Sequence, residues 1–180
     1  IVIHLKAKST RLKNKNFKKL LNKPLYKFTF DKIKKLKINF DIYIDSSSQI
    51  FQKEAKKYKF NFIKRPTYLN KRNAQGNELI TNCLKEIKNE IIFILHVTNP
   101  FIGTSTIKKC TNFLKKNKRF NSVTPLTPLF DRFWYKNKEV NHKYNKLIGS
   151  QYLKPVFVES GSYCFRRHSF LKEKSRISKK

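Results

Sequence analysis

The 180-residue chain has no methionine, four glycines, three cysteines and a single tryptophan. Acidic side chains are scarce as well, with Asp+Glu at 11 against Lys+Arg at 42. Each shortage excludes something. Cys83, Cys110 and Cys164 are odd in number and widely spaced, which suits neither a disulfide framework nor a zinc knuckle and favours a reducing, cytoplasmic setting. No apolar run approaches the roughly 20 residues of a membrane span, the longest being residues 91–95. Lys6 and Lys8 break up the first apolar stretch, so no secretory leader is visible. With no methionine even at residue 1, and with Ile1 too large for routine trimming, the first residues are expected to be missing.

The material present is that of a folded domain. The hydrophobic fraction is 39% and aromatics make up 14%, too much for a disordered chain. One domain of this length buries a core without metals or disulfides. The net charge of +31 invites a nucleic-acid reading. Its composition weakens that reading. Lysine supplies 34 of the 42 cations, and Lys, Asn, Ile and Phe together reach 84 residues against 21 for Gly, Ala, Arg and Pro. Those groups use A/T-rich and G/C-rich codons respectively, so genome composition alone raises lysine everywhere. The charge sets solubility and steering and names no partner.

Strand-like and helix-like segments alternate. Residues 1–5, 40–44, 60–63, 91–96 and 121–125 read as strands, and 130–135 and 156–165 as two more. Helical spacing follows Pro24 and recurs after residues 46–48, over 77–87 and over 104–116. This order predicts an α/β fold, a parallel sheet with helices on both faces. Ligands of such sheets sit beyond the carboxyl ends of the strands. That places the search in residues 6–16, 45–48, 64–77 and 96–101.

The first of these segments is basic: Lys6, Lys8, Arg11, Lys13 and Lys15 surround Ser9. Backbone N–H groups and a serine hydroxyl beside several cations suit a polyphosphate. It is not a Walker loop, because the Gly-Lys-Ser/Thr ending is missing. In a lysine-rich protein it also reads as an ordinary solvated loop.

Residues 2–16, V-I-H-L-K-A-K-S-T-R-L-K-N-K-N, resemble the acylneuraminate cytidylyltransferase (CMP-sialic acid synthetase) signature V-I-P-A-R-x-G-S-K-R-L-P-x-K-N. Residues 22–25 stand at that family's G-K-P-L element, and Lys64-Arg65-Pro66 at its R-P after the third strand. Residues 74–80 match its segment before the next helix, 96–101 its Q-P-T-S-P-L turn, and 158–163 its E-N-G-A-x-Y strand. A sister family that activates the octulosonate Kdo shares S-T-R-L with residues 9–12. It differs at Lys15-Asn16 and at residues 96–101, so the nonulosonate branch fits better.

The resemblance implies a Rossmann-like, three-layer, GT-A-like nucleotidyltransferase fold over residues 1–180, with a mostly parallel central sheet. Residues 131–151 would be a dimerisation insertion. The implied reaction joins CTP to a nonulosonic acid, giving the CMP-sugar and pyrophosphate with Mg²⁺ as cofactor. Lys6 and Lys15 would be catalytic cations. Ser9, Arg11, Asn16, Arg65, Ala74 and Gly76 would bind the nucleotide, and His96 and Glu159 would face the acceptor sugar. The family's metal-binding aspartate pair is not found among Asp31, Asp41, Asp45 and Asp131, and Asp45 is a weak candidate ligand. The sequence is therefore expected to stop short of that segment. The family's loop glycines are Ala7 and Lys8, where a side chain could crowd phosphate. A decayed homologue, a polyanion- or RNA-binding module, and a cytidylyltransferase for Kdo or another sugar are the competing readings. Neither a membrane nor nucleic acid is expected as partner.

Overall fold

Six strands make the central sheet. They are β1 (Val2–His4), β2 (Tyr43–Ser46), β3 (Asn61–Lys64), β4 (Ile91–Ile94), β5 (Ser122–Val123) and β6 (Tyr163–Arg166). Their order is β3-β2-β1-β4-β6-β5. The computed structural model describes residues 1–9, 12–36, 39–71 and 73–178. β1 pairs in parallel with β2 and β4, and β2 with β3. β6 runs antiparallel to both β4 and β5.

Helices cover both faces. α1 (Leu25–Lys34), α2 (Gln49–Tyr58) and α4 (Thr104–Lys116) pack Phe30, Ile33, Phe51, Ile107 and Leu114 against Ile3, Ile44 and Phe93. α3 (Gly76–Glu86) and α5 (Arg167–Glu173) pack Ile80, Leu84 and Phe170 against Val2, Ile63, Ile92 and Ile94. Alternate residues of each strand thus feed opposite cores, which is why β4 is apolar throughout. The three-layer α/β architecture with a mostly parallel sheet is as the sequence predicts.

Two differences lie in the second half. Residues 156–165, read as one strand, are two. Val156–Glu159 pairs antiparallel with Leu126–Leu129 in a ribbon outside the sheet, and Tyr163–Arg166 enters it. Gly161, at φ 79°, makes the turn between them. That left-handed conformation is open to glycine at little cost. The strand expected over residues 130–135 falls instead at Leu126–Leu129 and at Trp134–Tyr135.

The ribbon carries an insertion closed by one side chain. Asn141 donates to the carbonyls of Asp131 and Lys154 at 2.8 and 2.9 Å and accepts from the Phe133 N–H at 3.0 Å. Trp134–Tyr135 and Lys138–Glu139 form a hairpin whose turn residues, Lys136 and Asn137, are both left-handed, the geometry a tight two-residue hairpin needs.

Among the described residues, no helix is long and apolar enough to cross a membrane.

Candidate active site

The loop after β1 is anchored at both ends. Residues Lys15–Phe17 form a short 3₁₀ turn. Phe17 stacks on Phe51 at 5.1 Å between ring centroids and meets Tyr26 edge-on at 5.8 Å. Asn16 is buried, and its Nδ2 donates to the Lys6 carbonyl at 2.8 Å. These anchors set Lys15 at the mouth of the sheet. Asn16, expected at the nucleotide, closes the loop on itself, and its buried Oδ1 has no partner. Ser9 is half-buried in the same loop. Arg11 lies outside the described residues. Ala7 and Lys8 keep negative φ, so replacing the glycines introduces no left-handed backbone there, and among the described residues of the loop the left-handed one is Asn14.

Lys6 leaves β1 toward the connection after β3. Its Nζ lies 3.3 Å from the carbonyls of Asn70 and Lys71. Burial, and then the Arg65 charge, push its pKa below the ordinary lysine value. Beneath it lies a buried ionic cluster. Asp45 ends β2, and its Oδ2 accepts Arg65 Nε at 3.0 Å, Arg65 Nη2 at 2.5 Å and His4 Nδ1–H at 2.7 Å. Arg65 Nη2 also donates to the Asp45 carbonyl at 2.9 Å. Burial alone would raise the Asp45 carboxyl, but the His4 hydrogen bond and the Arg65 guanidinium bring it below its ordinary value.

This corrects the role expected of Arg65. Its side chain has 0% exposure, its Nε and Nη2 serve Asp45 and its Nη1 is buried without a partner, so it offers no exposed group to a cytosine or ribose. It braces the ends of β2 and β3. Ala74 and Gly76 sit in the same connection, where the Gln75 N–H donates to the Glu78 carboxylate at 2.6 Å and starts α3.

The turn after β4 and the turn before β6, where the acceptor sugar was expected, are joined at the same end of the sheet. Asn99 Nδ2 donates to the Ser160 carbonyl at 2.9 Å, joining the two. Lys32 of α1 donates to the Pro100 carbonyl, and to that of Ile102 at 2.7 Å. The parallel register pairs Val2 with Ile94, and His4 and His96 each lie two residues further along. The His96 ring lies 6.3 Å from that of Tyr163. Glu159, expected in an apolar strand, is 41% exposed and pairs with Arg176 at 2.7 Å.

The structure therefore brings Lys6, Lys15, Asn16, His96 and Glu159 to one end of the sheet. His4, Asp45 as an ion-pair centre, and Arg176 were not anticipated. A histidine directly after each of two apolar runs, His4 after residues 1–3 and His96 after residues 91–95, was the available signal for His4.

The family model described as Cytidylyltransferase matches residues 1–173. The chain belongs to the cytidylyltransferase family. No curated protein sequence matches it. Among solved structures it is similar to a CMP:2-keto-3-deoxy-manno-octonic acid synthetase complexed with CTP, at TM-score 0.73 and 11% identity, over 99% of this chain and 78% of that one. It is similar to the bifunctional IspDF of Campylobacter jejuni at TM-score 0.68 and 15% identity, over 99% and 43%. It also resembles a 4-diphosphocytidyl-2C-methyl-D-erythritol synthase of Anaerococcus prevotii at TM-score 0.65 and 14% identity, over 99% and 78%. Identities this low show the fold alone.

Mg²⁺, which the resemblance implies, does not fit the side chains of this cytidylyltransferase. Among the described residues, the one converging trio of possible ligands is His4, Asp45 and Cys83, with ligand atoms within 4.8 Å of one another. Mg²⁺ demands oxygen ligands in near-octahedral array, and this trio offers one nitrogen, one sulfur and one carboxylate. The carboxylate is already neutralised by Arg65, and burial pushes the Cys83 thiol far up, keeping it protonated. That arrangement disfavours a softer cation too. Asp31 is held by Lys23 and Tyr58, and Asp41 by Asn89.

Two cavities lie elsewhere. One of about 260 Å³ opens at the amino ends of the strands beside Ile1, Asp41 and Asn89. One of about 350 Å³ lies beside α3 near Tyr68, Asn77 and Lys174. Neither includes Lys6, Lys15 or His96.

His96 gives the first testable consequence. Burial, then the charges of His4, Lys15 and Arg176, lower its pKa to about 4 from 6.5. The ring is therefore neutral at pH 6, able to donate and accept hydrogen bonds without adding charge. Unfolded, it takes up a proton near pH 6.5, so the fold loses stability as pH falls from 6.5 toward 4. The loss from this group has an upper bound of about 3 kcal/mol. Urea titrations across that range should show a shallower decline for His96→Gln than for the parent. Imidazole NMR of the native protein should show His96 unprotonated at pH 5.5.

Proposed function

We propose that this cytidylyltransferase transfers CMP from CTP to a nonulosonic, sialic-type 2-keto acid and releases pyrophosphate. One observation carries the reading. The motif residues of the nucleotide side, Lys6 and Lys15 in one loop, and those of the acceptor side, His96 and Glu159, come from three distant parts of the sequence. All of them meet at the carboxyl ends of β1 and β4, the ligand end of such a sheet.

In the proposed reaction, the acceptor's anomeric oxygen attacks the α-phosphorus. The bond from that phosphorus to the bridging oxygen breaks, and pyrophosphate leaves with the electron pair. The hydroxyl proton passes to solvent. Negative charge grows on the phosphoryl and leaving oxygens. Fixed cations stabilise it most where water is scarce. Lys15, fixed by its neighbours, and Lys6, raised over the Arg65 ion pair, are the cations in place. The amino group of Lys6 keeps the charge of the family's arginine and gives up its bidentate fork. Ser9 and Arg11 would add contacts to the triphosphate.

The test is pyrophosphate release from CTP and Mg²⁺ with a panel of acids: N-acetylneuraminic, legionaminic, pseudaminic and Kdo. Kdo belongs in the panel because a structural neighbour bears its name. Turnover of a nine-carbon acid in preference to Kdo supports the proposal. Turnover of Kdo alone assigns the sister activity, and CTP binding with no turnover by any acid refutes the transferase reading.

The proposal includes a homodimer through the ribbon and its insertion. Exposed apolar side chains concentrate there: Trp134, Tyr144, Leu147, Tyr152 and Phe157 are 55–88% exposed. Monomers rarely expose so much apolar surface contiguously. Leu147→Lys with Tyr152→Lys should shift the sedimenting species from dimer to monomer. A parent that sediments as a monomer at micromolar concentration would refute the assembly.

A further inference from the structure

Arg176 stands out on the acceptor side because it is elaborately positioned and only half used. The chain leaves α5 through Lys174, a left-handed residue at φ 51°. Asn77 Nδ2 from the head of α3 donates to the Lys174 carbonyl at 2.7 Å. The Ser178 N–H donates to Ser122 Oγ at 3.1 Å, pinning the far side of the segment to β5. Between these pins, the Arg176 guanidinium lies over the Tyr163 ring, 5.1 Å from its centroid. Its Nη2 pairs with Glu159 Oε2 at 2.7 Å. Its Nη1 is buried and has no hydrogen-bond partner.

A guanidinium lying over a ring presents its donor edge sideways. That planar fork matches a carboxylate through two parallel hydrogen bonds. Here one donor is taken by the Glu159 carboxylate and another is unmet. A buried donor without an acceptor is costly, so the arrangement favours an incoming anion. The positive field of Arg176 reaches His96, where it helps keep the ring neutral. A neutral donor–acceptor ring and a positioned cation thus both flank the Tyr163 ring, His96 at 6.3 Å between ring centroids and the Arg176 guanidinium at 5.1 Å. They match two neighbouring groups of a 2-keto sugar acid, a hydroxyl and the carboxylate.

We propose that Arg176 is the receptor for the acceptor's carboxylate, and that Glu159 is its placeholder, occupying the guanidinium until the acid arrives. This rests on the sugar-acid reading above and names the group that would select for an acid. Glu159 is 41% exposed and at the end of its strand, so it can release the guanidinium into water. The roles of the two residues are opposed. Arg176 attracts the acid, and Glu159 competes with it.

That opposition gives the test. The probes are N-acetylneuraminic acid, Kdo and the methyl ester of N-acetylneuraminic acid, titrated calorimetrically in the presence of CTP. Arg176→Gln should weaken binding of the free acids at least tenfold and leave CTP affinity within twofold. Arg176→Lys should recover part of the loss. Glu159→Gln should tighten acid binding several-fold, which a scaffold role for the pair would not produce. The methyl ester should bind the parent weakly and be indifferent to Arg176→Gln.

Unchanged acid affinity in Arg176→Gln overturns the proposal. So does a parent that binds no acid, or weakening by Glu159→Gln equal to that by Arg176→Gln. If Arg176→Gln fails to fold, the Arg176→Lys and Glu159→Gln pair still decides, since the expected changes have opposite sign. The two readings fail separately. Arg176-dependent acid binding without pyrophosphate release rejects the transferase and keeps the receptor. Turnover whose KM for the acid ignores Arg176 does the reverse.

Discussion

Replacing Arg65 with methionine is expected to cost about 3–5 kcal/mol of folding stability, the cost of breaking a buried ion pair by removing one partner. The guanidinium has 0% exposure and makes three bonds to Asp45, whose own side chain is 1% exposed. Without it, His4 is the ionisable base left beside the Asp45 carboxylate among the described residues. Desolvation then dominates and drives the carboxyl upward, so the variant folds by taking up a proton. The pH sign follows. Asp45 is held below its ordinary pKa in the parent, so its contribution is present above the ordinary carboxylate range and is lost as pH falls through it. The gap between parent and Arg65→Met should be full at pH 7 and narrow below pH 4. Asp45→Asn combined with Arg65→Met should recover part of the loss, because no charge is left stranded. Urea denaturation at both pH values measures all three. A loss under 1 kcal/mol at pH 7 would show that the cluster is not the brace described.

The difference between what was legible in the sequence and what was not has physical causes. β4 showed itself as an uninterrupted apolar run because both faces are covered. α4 showed itself because Ile107, Cys110 and Leu114 repeat at helical spacing, and its bounds, Thr104–Lys116, are those expected. Periodicity carries no information about partners. It therefore missed that β6 inserts antiparallel between β4 and β5 while its neighbour Val156–Glu159 stays in the ribbon. Register across the sheet decides that, and the Gly161 turn separates the two.

The same distinction runs through the site. The basic loop was legible because its residues are contiguous. Arg65 was placed on the nucleotide by its position in a motif, whereas its burial depends on Asp45, 20 residues earlier on the neighbouring strand. Asp45 looked like a weak metal ligand because its partners, His4 and Arg65, converge only when β1, β2 and β3 lie side by side. Arg176 was hidden in a tail rich in basic residues, one cation among 42. Only the left-handed turn at Lys174 and the Tyr163 ring single it out.

Lys15→Ala should lower kcat/KM for CTP by about 10²–10³, the loss that follows when one preorganised charge-stabilising group is removed from a transition state. Its ammonium has no ion-pair partner among the described residues, while Asn16 and Phe17 fix the backbone that carries it. An ammonium without an ion-pair partner near a neutral His96 is unspent attraction for an anion. The substitution removes no packing that the fold depends on, so intrinsic stability should move by less than about 0.5 kcal/mol. CTP binding should separate the two effects. A ligand present at 100 times its Kd stabilises the fold by about 2.7 kcal/mol. The parent should show that rise in thermal unfolding with CTP, and Lys15→Ala should lose nearly all of it. Lys13→Ala is the control. It removes the same charge from an exposed position two residues earlier, so salt-screened attraction changes equally while the fixed contact does not. An unchanged CTP shift in Lys15→Ala, or an equal loss in Lys13→Ala, would make Lys15 one surface charge among many. A loss confined to Lys15 would separate the phosphate contact from the general lysine excess that surrounds it.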